Sequence, residues 1–234
     1  MRKPVIGVLQ YPYTDCDGDL MYEVLSPVIE SLVKAGMRPI GIYPTQLVKY
    51  QNMRVSEIPP LTEAEKADLI ESINMCDGIL KPGAVRIYGF DRFVYEYVKE
   101  HNIPYLGICA GMQVMASYGK DYVRNVKIES DINHRVRDEG YVHSVKITDG
   151  KLKEIVGKDE MMVSSKHSYM IEDAGIHKIC AVAEDGVIEA IEDTDCDFNI
   201  GLQWHPEMIP DDENSIKIFE AFAESARKYR NAAR

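Results

Sequence analysis

The pentapeptide Gly107-Ile108-Cys109-Ala110-Gly111 sets a thiol between two glycines, at the end of an apolar run and just ahead of Met112-Gln113-Val114-Met115. A strand that turns sharply into a helix at a nucleophile has this G-x-Nuc-x-G form, with cysteine here in the nucleophile position. The glycines are needed because the turn is strained and neighbouring backbone must pass close to the nucleophile with no Cβ in the way. A buried cysteine closing a core strand beside a glycine-rich turn would leave the same five letters, so the motif needs partners. A thiol with an ordinary pKa of about 8.5 is only a few per cent thiolate at neutral pH. Making it mostly thiolate requires a drop of roughly 2.5 units, or about 3.4 kcal/mol. A helix N-terminus supplies about 0.3–2 kcal/mol of that, which leaves a cationic neighbour, best a histidine, to supply the rest. Gln203-Trp204-His205-Pro206-Glu207 offers one. Residues two apart in an extended segment face the same side, so Glu207 can fix the tautomer and orientation of His205 as the third member of a triad does. Gly78-Ile79-Leu80-Lys81-Pro82-Gly83-Ala84 reads as another strand ending in a tight turn, and the N–H groups near Gly83 and of Ala110 are candidate oxyanion donors.

These pieces can meet only if their strands end on one edge of a sheet, as strands of a parallel sheet do. The sequence predicts such a sheet. Val5–Leu9, Pro39–Tyr43, Asp77–Lys81 and Tyr105–Cys109 read as short, nearly continuous apolar strands. They alternate with helical patterns over Tyr22–Ala35, from Thr62 with its capping-box Glu65, over Asp91–His101 and over Gly111–Tyr118. The alternation implies an α/β fold of flavodoxin-like or Rossmann-like form, a mostly parallel sheet with helices on both faces. From residue 141 the rhythm changes to additional C-terminal antiparallel strands over Val142–Ile147, Met161–Ser164, Ile179–Glu184, Val187–Glu192 and Phe198–Trp204, with Asp185-Gly186 as a hairpin turn. Ile216, Phe219, Ala223 and Ala226 then mark the buried face of a closing helix. With no linker or repeat in 234 residues, a single domain over 1–234 is expected.

Composition narrows the partners. Twenty-seven Lys and Arg against 38 Asp and Glu give a net charge of -11, so neither nucleic acid nor an anionic membrane is expected as a partner. No apolar run resembles a signal peptide or a membrane span, and a cytoplasmic location is expected. Five cysteines without C-x-x-C spacing fit reduced thiols. His134 and His143 show no metal-ligand spacing, and His101 and His177 sit at element ends, so no metal and no cofactor are assigned. Asp15, Asp17 and Asp19 around Gly18 lack the further ligands of a calcium loop and read as a solvated loop.

The order of a D-G-I-L-x-P-G strand, an elbow cysteine in G-I-C-A-G-M-Q and a distant Q-W-H-P-E resembles the class I glutamine amidotransferase superfamily. Within it, the opening strand and Tyr11-Pro12-Tyr13 are similar to the peptidase C26 branch, notably γ-glutamyl-γ-aminobutyrate hydrolases. The resemblance covers essentially the whole chain. It implies cysteine-dependent hydrolysis of γ-glutamyl amide bonds of a small-molecule substrate, with Cys109, His205 and Glu207 as catalytic triad and Gly83 and Ala110 at the oxyanion hole. It further implies Gln113 and His167 as substrate contacts, and is compatible with a homodimer. Two departures bear on the leaving amine. The branch's V-N-S-x-H-H-Q stretch is here Val163-Ser164-Ser165-Lys166-His167-Ser168-Tyr169, and the oxyanion turn is Pro82-Gly83-Ala84-Val85-Arg86, whose Arg86 reads as a surface residue or as a partner for a substrate carboxylate. A glutaminase feeding ammonia to a synthase partner and an idle scaffold that only binds ligand are the alternative expectations.

Overall fold

The computed structural model describes residues 2–120, 125–136 and 140–233. In chain order the elements are β1 (Val5–Leu9), β2 (Tyr11–Thr14), β3 (Leu20–Glu23), α1 (Ser26–Lys34), β4 (Arg38–Ile42), α2 (Glu63–Asn74), β5 (Gly78–Lys81), α3 (Gly89–Glu100), β6 (Tyr105–Ile108) and α4 (Ala110–Ala116). There follow β7 (Asn125–Lys127), β8 (His143–Ile147), α5 (Lys151–Val156), β9 (Glu160–Val163), β10 (Tyr169–Ile171), β11 (Lys178–Ala183), β12 (Ile188–Glu192), β13 (Asn199–Leu202) and α6 (Glu213–Ala233).

Nine strands form one sheet in the order β4-β1-β5-β6-β13-β12-β11-β8-β9. Its first five strands run parallel, and each later neighbour pairs antiparallel. The parallel strands β1, β5, β6 and β13 are buried at every position, which is why they read as unbroken apolar runs. On one face Ile6, Val8, Leu80 and Leu106 pack with Val28 and Leu32 of α1 and Ile218 and Phe222 of α6. On the other, Ile79 and Tyr105 pack with Leu69 of α2, Val94 and Val98 of α3, and Met112 of α4. Each fully buried aliphatic side chain contributes about 1.5–3 kcal/mol, so the helices clamp the sheet from both faces. The layout is the α/β sheet with helices on both faces and an antiparallel C-terminal half that the sequence predicts.

Two local expectations fail, and the acidic loop between them is solvated as expected. Residues 22–25 are not helix: β3 pairs with β2, and Tyr11 donates to Glu23 at 2.6 Å. The helix starts instead at Ser26, where Pro27 presets the backbone of the first turn. The acidic loop Asp15–Asp19 is the turn of this hairpin, with Asp15 accepting the backbone N–H groups of Asp17 and Asp19. On α6, Ile216 is 42 % exposed and the buried stripe runs through Ile218, Phe219, Phe222, Ala223 and Ala226.

The segment joining β5 to α3 is anchored by charge. Lys81 Nζ and Asp91 Oδ1 lie 2.9 Å apart with both side chains fully buried, and the other Asp91 oxygen accepts the Tyr88 N–H at 2.9 Å. Removing one member leaves an uncompensated buried charge, at about 3–5 kcal/mol. The Lys81→Met protein should therefore lose roughly 3 kcal/mol of unfolding free energy in urea titrations; a loss within ~0.5 kcal/mol would show that the pair does not anchor the segment.

Candidate active site

Cys109 sits between β6 and α4 at φ 51° and ψ -102°, a conformation that costs a non-glycine residue about 1–3 kcal/mol. The surroundings impose it. A Cβ on Gly107 would lie 2.6 Å from the Gly111 carbonyl carbon, and one on Gly111 would lie 2.3 Å from the Lys81 carbonyl oxygen. Both glycines of the motif are thus demanded by backbone closeness, the first within the elbow and the second against the end of β5. The Cys109 N–H donates to Leu202 O at 2.7 Å, which ties the elbow to the end of β13 as well.

β13 leads directly into His205. Pro206 opens a single 3₁₀ turn, Pro206–Met208, that brings Glu207 back beneath the ring. His205 Nδ1 and Glu207 Oε1 are 2.7 Å apart, and both residues are buried. Ser164 Oγ donates to the His205 carbonyl at 2.5 Å, so the loop after β9 holds the histidine backbone from the other side. His205 Nε2 hydrogen-bonds no other described group and faces the Cys109 sulfur. Burial opposes charge on the ring, but the Glu207 carboxylate and the sulfur overcome it and raise His205 to about 10. Gly83 lies against both partners. A Cβ there would be 2.8 Å from His205 Cε1 and 3.5 Å from Cys109 Cβ.

The structure thus brings Cys109, His205, Glu207, Gly83 and Ala110 to one edge of the sheet. Gln113 is near in sequence, but its carboxamide is committed within the protein: it donates to Gln203 at 3.0 Å and accepts from Asn125 at 2.8 Å. His167 joins a buried group with His134, His143 and Glu189. His134 and His143 show no ligand spacing in the sequence and Glu189 does not stand out there, because residues spaced 134, 143, 167 and 189 share no helical or hairpin period. Arg86 is exposed and lines a cavity of about 330 Å³ together with Tyr11, Tyr13, Tyr50 and Tyr88.

Residues 89–207, from the start of α3 to the acidic partner of His205, match the Peptidase C26 family model. A Schizosaccharomyces pombe protein described as a candidate glutamine amidotransferase is 32 % identical over 209 residues, 84 % of this chain and 79 % of its own length. The chain belongs to the peptidase C26 family. It is therefore a member of the class I glutamine amidotransferase-like superfamily. The chain is also similar to a glutamine amidotransferase-like protein of Rickettsia prowazekii, 25 % identical over 97 % of this chain and 99 % of that one. The CTP synthase of Chlamydia caviae is 26 % identical over 74 % of the chain, which spans 38 % of the synthase. The fold matches the glutaminase domain of Trypanosoma brucei CTP synthase, solved with bound acivicin, with a TM-score of 0.67 at 19 % identity, covering 96 % of this chain and 94 % of that one.

The surroundings of the cysteines in this chain differ sharply. Burial pushes Cys76 up to about 12 and raises Cys180 as well, whereas Cys109 is partly exposed beside an imidazole. Iodoacetamide near neutral pH should alkylate Cys109 on the order of tenfold faster than Cys76 or Cys180, read by peptide mass spectrometry. In Glu207→Gln the charge that raises His205 is gone and burial, which lowers it, takes over. The imidazolium is then lost at lower pH, and Cys109 labelling at about pH 8 should slow. Equal rates in the two proteins would dissociate the thiol from the His205–Glu207 pair.

Proposed function

We propose that this protein is a cysteine hydrolase of γ-glutamyl amides, using Cys109, His205 and Glu207 as its triad and requiring no cofactor. The observation that carries this reading is the strained elbow thiol facing a buried histidine that is itself oriented by a buried carboxylate. With its proton already held on His205 Nε2, Cys109 Sγ attacks as the thiolate at the side-chain carbonyl carbon of the glutamyl group. Negative charge builds on the carbonyl oxygen, where the N–H groups of Gly83 and Ala110 receive it. His205 protonates the departing amine nitrogen as the C–N bond breaks, leaving a glutamyl thioester on Cys109. Water then enters, gives its proton to His205 and displaces the thiolate, and glutamate leaves. Glu207 holds Nδ1–H throughout and stabilises each imidazolium.

Gln113, with its carboxamide held by Gln203 and Asn125, acts here as a positioning residue for α4 rather than through a free side chain. Arg86, on the turn that begins at Gly83, suits a substrate carboxylate bidentately. The relatives from S. pombe and R. prowazekii, matched along 79 % and 99 % of their own lengths, are described as a candidate glutamine amidotransferase and a glutamine amidotransferase-like protein, which supports amide chemistry on a glutamyl side chain. The match to CTP synthases keeps a second reading in place, a glutaminase whose ammonia passes to a synthase partner.

The deciding measurement is glutamate release from a panel of γ-glutamyl-γ-aminobutyrate, other γ-glutamyl amines, γ-glutamyl peptides and glutamine. The native protein should release glutamate and Cys109→Ala should be slower by about 10³-fold or more. Release from glutamine alone, appearing only with a partner, would replace the hydrolase by the glutaminase. Gly83→Ala should cost on the order of 10²-fold in kcat, because its Cβ displaces the His205 ring from the thiol. An unchanged kcat would remove Gly83 from the site.

A further inference from the structure

The antiparallel half of the sheet carries a second buried constellation that the proposed chemistry does not use. His134 precedes β8, His143 opens it, His167 follows β9 and Glu189 lies on β12, so four separate segments converge. All four residues are buried, with Glu189 fully so, and one donor atom from each lies within 4.8 Å of every other. Glu189 Oε1 is 3.1 Å from His134 Nδ1, 3.5 Å from His143 Nε2 and 3.4 Å from His167 Nε2. None of these atoms makes a hydrogen bond among the described residues, and neither does the other Glu189 oxygen.

Two features say what belongs in the middle. The first is spacing: a tetrahedral ion with bonds of about 2.0–2.1 Å holds its ligands about 3.3–3.4 Å apart, close to the three separations around Oε1. The second is proton placement. The outer nitrogen of each ring meets a group that only accepts: His134 Nε2 faces Asp185 Oδ2 at 2.8 Å, His143 Nδ1 faces Ser144 O at 3.1 Å, and His167 Nδ1 faces Tyr169 O at 3.2 Å. Each outer nitrogen must donate, so any of the rings that is neutral turns its bare lone pair inward. Three lone pairs and a carboxylate oxygen converging in a buried space repel one another unless a cation joins them. Metal-ligating histidines are held in this way, the outer N–H fixed by a carboxylate or a carbonyl.

We propose that His134 Nδ1, His143 Nε2, His167 Nε2 and Glu189 Oε1 bind one Zn²⁺ in a closed, four-coordinate structural site. Three imidazoles and one carboxylate suit Zn²⁺, and with all four positions filled by the protein no place remains for an activated water. The site's effect is mechanical. It pins the loop 164–168, which grips the His205 carbonyl through Ser164, to β12, whose Glu189 carbonyl accepts the Gln203 N–H at 2.7 Å. It is independent of which amide the enzyme cleaves.

The test is metal content of the full chain, purified without a polyhistidine tag from zinc-supplemented medium, by inductively coupled plasma mass spectrometry. The expected result is about one zinc per chain, retained in Cys109→Ser, lost in Glu189→Gln and in His143→Ala. Cobalt-substituted protein should show the intense visible bands of tetrahedral coordination, a readout that does not depend on any variant folding. Four results would overturn the site: substoichiometric zinc even after incubation with Zn²⁺, zinc retained by Glu189→Gln, zinc lost from Cys109→Ser, or iron or manganese in its place. The first would assign the cluster to protonated histidines paired with Glu189.

Discussion

The molecule turns on a place where chains of backbone come closer than side chains allow. At the elbow the Gly111 backbone packs against the carbonyl of Lys81 and against Gly107, so two strand ends and the first turn of α4 share space that holds no Cβ. That closeness forces the chain to reverse at Cys109 with positive φ, and the reversal lifts the thiol out of the sheet toward His205. A strain of about 1–3 kcal/mol persists only where the surroundings over-determine the conformation. Here they do. Every residue of α4 is buried, the Tyr105 hydroxyl donates to Gly111 O at 3.1 Å, and Cys109 N–H is held by β13. The buried Lys81–Asp91 pair fixes the remaining wall.

How much of this the sequence discloses depends on whether a feature is local. The elbow is legible because its cause, two glycines flanking a nucleophile between a strand and a helix, fits within five residues. His205 and Glu207 are legible because a spacing of two places them together regardless of the fold. The parallel strands are legible because burial on both faces writes an unbroken apolar run. The β2–β3 hairpin is hidden because Met21, Tyr22 and Leu25 also satisfy a helical pattern, and pairing with Tyr11–Thr14 decides the matter. Ile216 misleads for the opposite reason: it lies at the start of α6, where a period alone cannot say which apolar residue faces the core and which faces solvent.

The histidines show the limit most clearly. His134, His143, His167 and Glu189 belong to four segments whose convergence depends on the strand order β12-β11-β8-β9. No spacing in one dimension encodes that order. His167 reads as a substrate contact because it lies in a stretch associated with the site, and the structure separates the two roles within that stretch. Ser164 reaches the His205 carbonyl, while His167 faces inward to Glu189.

The two halves of the sheet therefore divide the labour of one site. The parallel half supplies the elbow thiol and the Gly83 turn, both products of strand ends meeting helix starts. The antiparallel half supplies the restraint on His205, since β12 pairs with β13 and the loop after β9 holds its carbonyl. The histidine cannot be left to its own strand. An imidazolium at full burial is tolerated only against a fixed carboxylate, and a shift of about 1 Å in such a pair costs roughly a quarter of its Coulomb attraction and breaks the hydrogen bond. Histidine and glutamate must accordingly be held by backbone on both sides, and the fold provides this by continuing the sheet beyond the last parallel strand.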